Sequence, residues 1–143
     1  PPPRDSIRRQ RQMCIRDRIY SIEGSATDYE PLYAEDGYHV HTNHYTSLPM
    51  RHFEADREWI ASSIVRYNRG RRLLKGNLGK ITVQTMMEAL SDHVGHPRSI
   101  CRHGTGVKTT FSVVIDLSSL TMYLAWGNPC EEEYIEYKLI DRE

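Results

Sequence analysis

No stretch of this 143-residue chain approaches the ~18 consecutive apolar residues that a membrane-spanning helix needs. The mean hydropathy of −0.63 agrees, and no membrane role is expected. The N-terminus lacks the apolar core of a secretory signal. Net charge is lacking too: the formal value is zero, so nothing draws the whole chain toward nucleic acid or anionic lipid. There are three cysteines, Cys14, Cys101 and Cys130, too few and too scattered for a disulfide framework or a Cys-rich zinc site. A reducing, cytoplasmic setting is the expectation. There is no Gly-rich phosphate loop, no internal repeat and no low-complexity tract. What remains is a length that suits one domain with a core of its own.

The neutrality conceals an asymmetry. Residues 1–18 hold six Arg against Asp5 and Asp17, a net of +4, which leaves −4 for the other residues. A basic arm of this kind suggests a nucleic-acid or membrane tail. A simpler origin fits better. The run Met13-Cys14-Ile15-Arg16-Asp17-Arg18 reads as one translated frame of a transposon-end sequencing adapter, and residues 3–6 resemble its opposite strand. Residues 1–18 are therefore expected to be an adapter-derived, disordered segment, with residues 19–143 forming the domain.

Within 19–143 the pattern changes along the chain. Ile19–Glu23 suits a short strand, and a polar loop containing Pro31 follows. Tyr38–Asn43 reads as a second strand from its Tyr, Val and Thr content. From Glu54 to Leu74 helix formers dominate, with Trp59, Ile60, Ile64, Tyr67 and Leu74 as an apolar stripe. The basic residues Arg57, Arg66, Arg69, Arg71, Arg72 and Lys75 read as its solvated face. A second helix starts at Thr82 as N-cap, carries Val83, Met86, Met87 and Leu90 on one side, and ends by Gly95 and Pro97. Then come strands at 109–117 and 120–126, joined by a Ser118-Ser119 turn, and a third at 134–139. This order argues an α+β fold, two helices packed on antiparallel strands.

The most telling run is Tyr38-His39-Val40-His41-Thr42-Asn43-His44-Tyr45. It sets a side-chain amide, a neutral N–H donor, at the end of an extended segment, as stabilisation of an oxyanion requires. His39, His41 and His44 also permit a metal-binding reading, with His39 and His41 on one face of a strand. No further ligand is indicated by spacing. Cys101-Arg102-His103 sets a thiol beside a cation and an imidazole, yet adjacent residues on a strand point apart. Asp92-His93 closes the second helix, where a His favours the dipole.

Several of these segments, in order, resemble the C-terminal part of the isopenicillin-N acyltransferase-like proteins, peptidase family C45, among the choloylglycine-hydrolase-like N-terminal-nucleophile hydrolases. They are Asp36-Gly37 through His41-Thr42-Asn43-His44, Ser91-Asp92-His93, Arg98–His103, Thr110 with 113–117, and Gly127-Asn128-Pro129-Cys130. The resemblance spans residues 22–139. It implies a partial αββα sandwich and an autoproteolytic precursor whose exposed N-terminal Cys attacks an amide or acyl-CoA carbonyl. It further implies Asn43 as an oxyanion donor and Arg102, or else Arg98, as a second site residue. It assigns no cofactor and no metal ligand, and its partner is a small-molecule amide or acyl-CoA substrate. The nucleophile of this pattern lies well upstream of the Thr-Asn pair, and none of Cys14, Cys101 and Cys130 matches it. The expectation is a truncated acyltransferase or amide hydrolase, inactive by itself. A small His-cluster metal protein and a non-catalytic binding module are the alternatives.

Overall fold

The computed structural model describes residues 11–15, 18–34, 36–54 and 57–139. The chain divides after Tyr67 into two compact units, each with its own three-stranded antiparallel sheet. The sheet of the first unit runs β1 (Arg11–Ile15), β2 (Arg18–Gly24), β3 (Tyr29–Tyr33), in that order. Strand β2 is the one anticipated at Ile19–Glu23. Arg11–Ile15 forms a strand where the sequence suggested none, Arg18 opens β2, and residues 1–10, 16 and 17 lie outside the described residues. Strand β3 was also unanticipated, because Pro31 argued for a loop. Pro31 faces Ile22 on an outer strand of the sheet, where a missing N–H leaves no ladder bond unmade.

Alternation along β2 sends Ser21 and Glu23 to one side, and both are buried. Opposite them runs the segment 38–47, which corrects the sequence reading. It is not a strand but irregular chain with a bend at Asn43-His44. Its peptide groups bond to side chains rather than to a neighbouring strand. The Asn43 N–H donates to Ser63 Oγ, that of Tyr45 to Glu54, and those of Thr46 and Ser47 to Glu23.

Helix α1 (Arg57–Gly76) begins in the first unit and ends in the second. It starts and stops slightly later than the predicted Glu54–Leu74, and Gly70 passes inside it without ending it. In the second unit, α2 (Val83–Leu90) has the predicted cap. Thr82 Oγ1 accepts the Thr85 N–H, while Thr85 Oγ1 accepts the Thr82 N–H, so two otherwise orphaned donors are satisfied reciprocally. The helix ends at Leu90, earlier than Gly95, with Ser91 Oγ turned back onto the Met87 carbonyl.

Helix α2 packs on β4 (Phe111–Asp116), which pairs with β5 (Thr121–Trp126), itself paired with β6 (Ile135–Lys138). The turn joining β4 to β5 is held by Asp116, whose carboxylate accepts the Ser118 N–H and the Ser119 hydroxyl. The buried face of this sheet is its small one: Ser112, Val114, Thr121 and Ala125. The larger apolar residues Phe111, Ile115 and Trp126 are exposed. No helix among the described residues is long and apolar enough to cross a membrane. The expected α+β class holds.

Candidate functional site

Glu23 is the anchor of the first unit. Its Oε1 accepts the Thr46 N–H at 2.6 Å, the Thr46 hydroxyl at 2.7 Å and His41 Nε2 at 2.8 Å. Its Oε2 accepts the Ser47 N–H at 3.0 Å and the Ser47 hydroxyl at 2.6 Å. The side chain is 1% exposed. Burial alone would raise its pKa. The donors of Ser47 and Thr46 outweigh burial and hold the carboxyl down at about 2. An ionised carboxylate therefore pins the segment 41–47 from below. Sequence reading passed over Glu23 as one residue of a short strand, because nothing local shows that five donors from far along the chain converge on it.

Each of the three histidines above it has its own partner. His39 Nε2 meets Ser21 Oγ at 2.7 Å, His41 meets Glu23, and His44 Nδ1 meets Ser63 Oγ at 2.8 Å. Burial first, then the neighbouring His41, push the pKa of His39 down, and burial does the same for His44. Neutral rings suit the contacts of His39 and His44: a neutral His39 can accept the Ser21 hydroxyl proton, and a neutral His44 can donate from Nδ1. The three rings are occupied in separate hydrogen bonds, and they do not converge as the metal reading required.

Asn43 sits exposed at the bend. Two residues of α1 hold it. The Arg66 guanidinium donates from Nη2 to Asn43 Oδ1 at 2.7 Å, and the fully buried Ser63 accepts the Asn43 N–H at 2.6 Å. Ser63 also donates to Thr42 Oγ1 at 2.9 Å, while Thr42 Oγ1 donates to the Ser63 carbonyl at 3.0 Å. With Oδ1 tied to a cation, the remaining end of the amide is the NH2 group. Arginine cannot accept a hydrogen bond, so this contact fixes which way the amide faces. Sequence reading had put Arg66 on a solvated face. Spacing along a helix cannot reveal a partner 23 residues earlier in an irregular segment.

The other predicted site residue, Arg102, lies in the second unit. Its backbone N–H donates to Thr109 Oγ1 at 3.0 Å, and Nε approaches the Ser99 carbonyl at 3.4 Å. Burial lowers its pKa. Arg69, also placed on the solvated face, instead grips Asp92 with two bonds of 2.9 and 2.6 Å. That pairing is the largest influence holding the Asp92 carboxyl below its ordinary value. Asp92 is thus committed to Arg69.

Cys101 is fully buried, and burial first, then the adjacent Cys130 thiol, push it up to about 11. A thiol so raised is a poor nucleophile. Around it the second unit gathers His93, His103 and Cys130, whose ligand atoms and Cys101 Sγ all lie within 4.8 Å of one another. The sequence pairs only Cys101 with His103, and nothing in the spacing joins His93 and Cys130 to them.

The sequence model of the acyl-coenzyme A:6-aminopenicillanic acid acyl-transferase family matches residues 16–131. No curated protein matches the chain.

Proposed function

Because the chain belongs to the acyl-coenzyme A:6-aminopenicillanic acid acyl-transferase family, we propose that it carries the oxyanion-stabilising part of an acyltransferase or amide hydrolase acting through an N-terminal cysteine. The observation that supports this most is the grip of Arg66 and Ser63 on Asn43. An amide donor stabilises a developing oxyanion best when its direction is fixed before the reaction begins, since no reorganisation is then needed. Asn43 meets that condition. It is exposed, its carbonyl end is held by a cation, and its backbone is tied to a buried hydroxyl.

In this reading the N-terminal cysteine, freed by autoproteolysis of a precursor, attacks a small-molecule amide or acyl-CoA. The thiol proton passes to the α-amino group of the same residue and then to the leaving amine or thiolate. A carbon–sulfur bond forms, the carbon–nitrogen bond or the thioester bond breaks, and water or an acceptor amine resolves the acyl-enzyme. Asn43 Nδ2 donates to the carbonyl oxygen as it gains charge. Arg102 is proposed as a second site residue on the family resemblance alone, and Cys14, Cys101 and Cys130 are not assigned the attack.

The test uses the complete product of the source gene, incubated with acyl-CoA and a panel of primary amines. Intact mass spectrometry is expected to show the acyl group on an N-terminal cysteine, with stoichiometric release of coenzyme A or amine. Failure to consume any amide or thioester, from protein with a free N-terminal cysteine, overturns the reading.

A further inference from the structure

The second unit holds a group of side chains that the acyl-transfer chemistry does not use. His93 and Cys101 lie in the segment after α2, His103 two residues on, and Cys130 in the turn after β5. His93 Nε2 and His103 Nε2 are 2.9 Å apart, Cys101 Sγ and Cys130 Sγ 3.6 Å. His103 Nε2 lies 3.6 Å from Cys101 Sγ and 3.2 Å from Cys130 Sγ. Two nitrogens and two sulfurs therefore gather within 4.8 Å of one another. We propose that His93, Cys101, His103 and Cys130 form a tetrahedral Cys2His2 site for a divalent transition-metal ion, zinc by its donor set.

The distances carry the argument. Zinc–sulfur bonds of about 2.3 Å and zinc–nitrogen bonds of about 2.0–2.1 Å, set at tetrahedral angles, place sulfurs ~3.8 Å apart, sulfur and nitrogen ~3.5 Å, and nitrogens ~3.3 Å. Four of the six separations lie a few tenths of an ångström from these values, and the two between His93 and the sulfurs are within 4.8 Å.

The surroundings fit as well. Ligation through Nε2 leaves the proton of His103 on Nδ1. There, Glu131 Oε1 stands at 3.5 Å, so a carboxylate is at hand to orient the ring, while the Asn128 amide, which meets Nδ1 through its nitrogen, would turn its oxygen to that proton once the metal is bound. The Cys101 N–H donates to the Asp92 carbonyl at 3.0 Å, and Asp92 is itself fixed by Arg69, so the strand of chain bearing two ligands is already anchored. Cys101 is buried, whereas His93, His103 and Cys130 are exposed, which gives the ion a path in. Four protein ligands leave no open position for substrate, so the ion is structural: it ties the 93–103 segment to the turn at 127–131. This departs from the expectation of no metal ligand that the family resemblance implies, and from the alternative metal reading, which used His39, His41 and His44.

The test is made on the full chain, purified under reducing conditions and loaded with Zn2+ or Co2+. We expect one zinc per chain after gel filtration with a weak chelator. The cobalt form is expected to show thiolate-to-metal charge-transfer absorption and the visible bands of tetrahedral coordination. Cys130→Ser and His93→Gln, both at exposed positions, should each lower the retained metal several-fold or more, while His52→Ala keeps it. If the variants fail to fold, the cobalt spectrum of the unaltered chain decides. Absence of stoichiometric metal, a cobalt spectrum without thiolate bands, or a Cys101–Cys130 disulfide in protein isolated without oxidant overturns the proposal.

Discussion

Arg66 Nη2 lies 2.7 Å from Asn43 Oδ1, so a cation on helix α1 fixes the orientation of the candidate oxyanion donor's amide. A charge-assisted hydrogen bond of this kind is worth about 1.5–3 kcal/mol. Arg66→Met should release the amide. In the active enzyme kcat should fall by roughly tenfold or more at nearly constant KM, as expected when an interaction serves the transition state alone. Side-chain amide resonances of Asn43 offer a readout that needs no turnover: they should shift and broaden in the variant, and unchanged resonances would argue that Arg66 holds nothing in place.

Ser63 is a second support, and a purely local one. Ser63→Ala removes the acceptor of the Asn43 N–H and the donor to Thr42 Oγ1. Leaving such groups unsatisfied costs about 1–3 kcal/mol. Thermal unfolding should register the loss as a drop of several degrees. A variant as stable as the parent would show that the 42–44 segment is held by other contacts.

Glu23 gives the fold a pH dependence of known sign. Its folded pKa, about 2, lies below the reference 4.5, so its contribution is present above pH 4.5 and is lost as pH falls toward 2. At neutral pH that contribution is at most about 3 kcal/mol. Glu23→Gln should therefore be markedly less stable than the parent at pH 6. The gap should narrow as urea titrations are repeated from pH 4.5 downward. A gap independent of pH would mean that the carboxylate charge is not what the segment 41–47 needs.

The exposed apolar face of the second sheet predicts behaviour in solution. Phe111 is 54% exposed and Trp126 is 64% exposed, with ring centroids 6.0 Å apart. Exposed apolar surface on paired strands favours association. The chain should bind a hydrophobic dye and aggregate with rising concentration. Phe111→Thr with Trp126→Thr should reduce both effects without a comparable loss of melting temperature. Equal aggregation by the double variant would exclude this face as the cause.

Periodicity located α1, α2 and the β4–β5 hairpin, because each of those elements follows from local propensity, a cap or an Asx turn. It failed where chemistry replaces regular structure. The segment 38–47 has the composition of a strand, yet its N–H groups go to Glu23, Glu54 and Ser63. Strand β3 was hidden by Pro31, which an outer strand tolerates. Asn43 was legible because its residue type and flanking residues suggested a donor. Arg66, Ser63 and Glu23 were not, since they reach the site from elements distant in sequence. The same holds for His93, Cys101, His103 and Cys130, which only the folded second unit brings together.

The account rests most heavily on Asn43 as the oxyanion donor. The direct test compares Asn43→Ala with the parent in the complete gene product, by steady-state kinetics on an amide or acyl-CoA that the parent turns over. Loss of one such donor should lower kcat by roughly 10²–10³-fold and leave KM within a few-fold. An unchanged kcat, in a variant that folds and frees its N-terminal cysteine normally, would contradict the assignment.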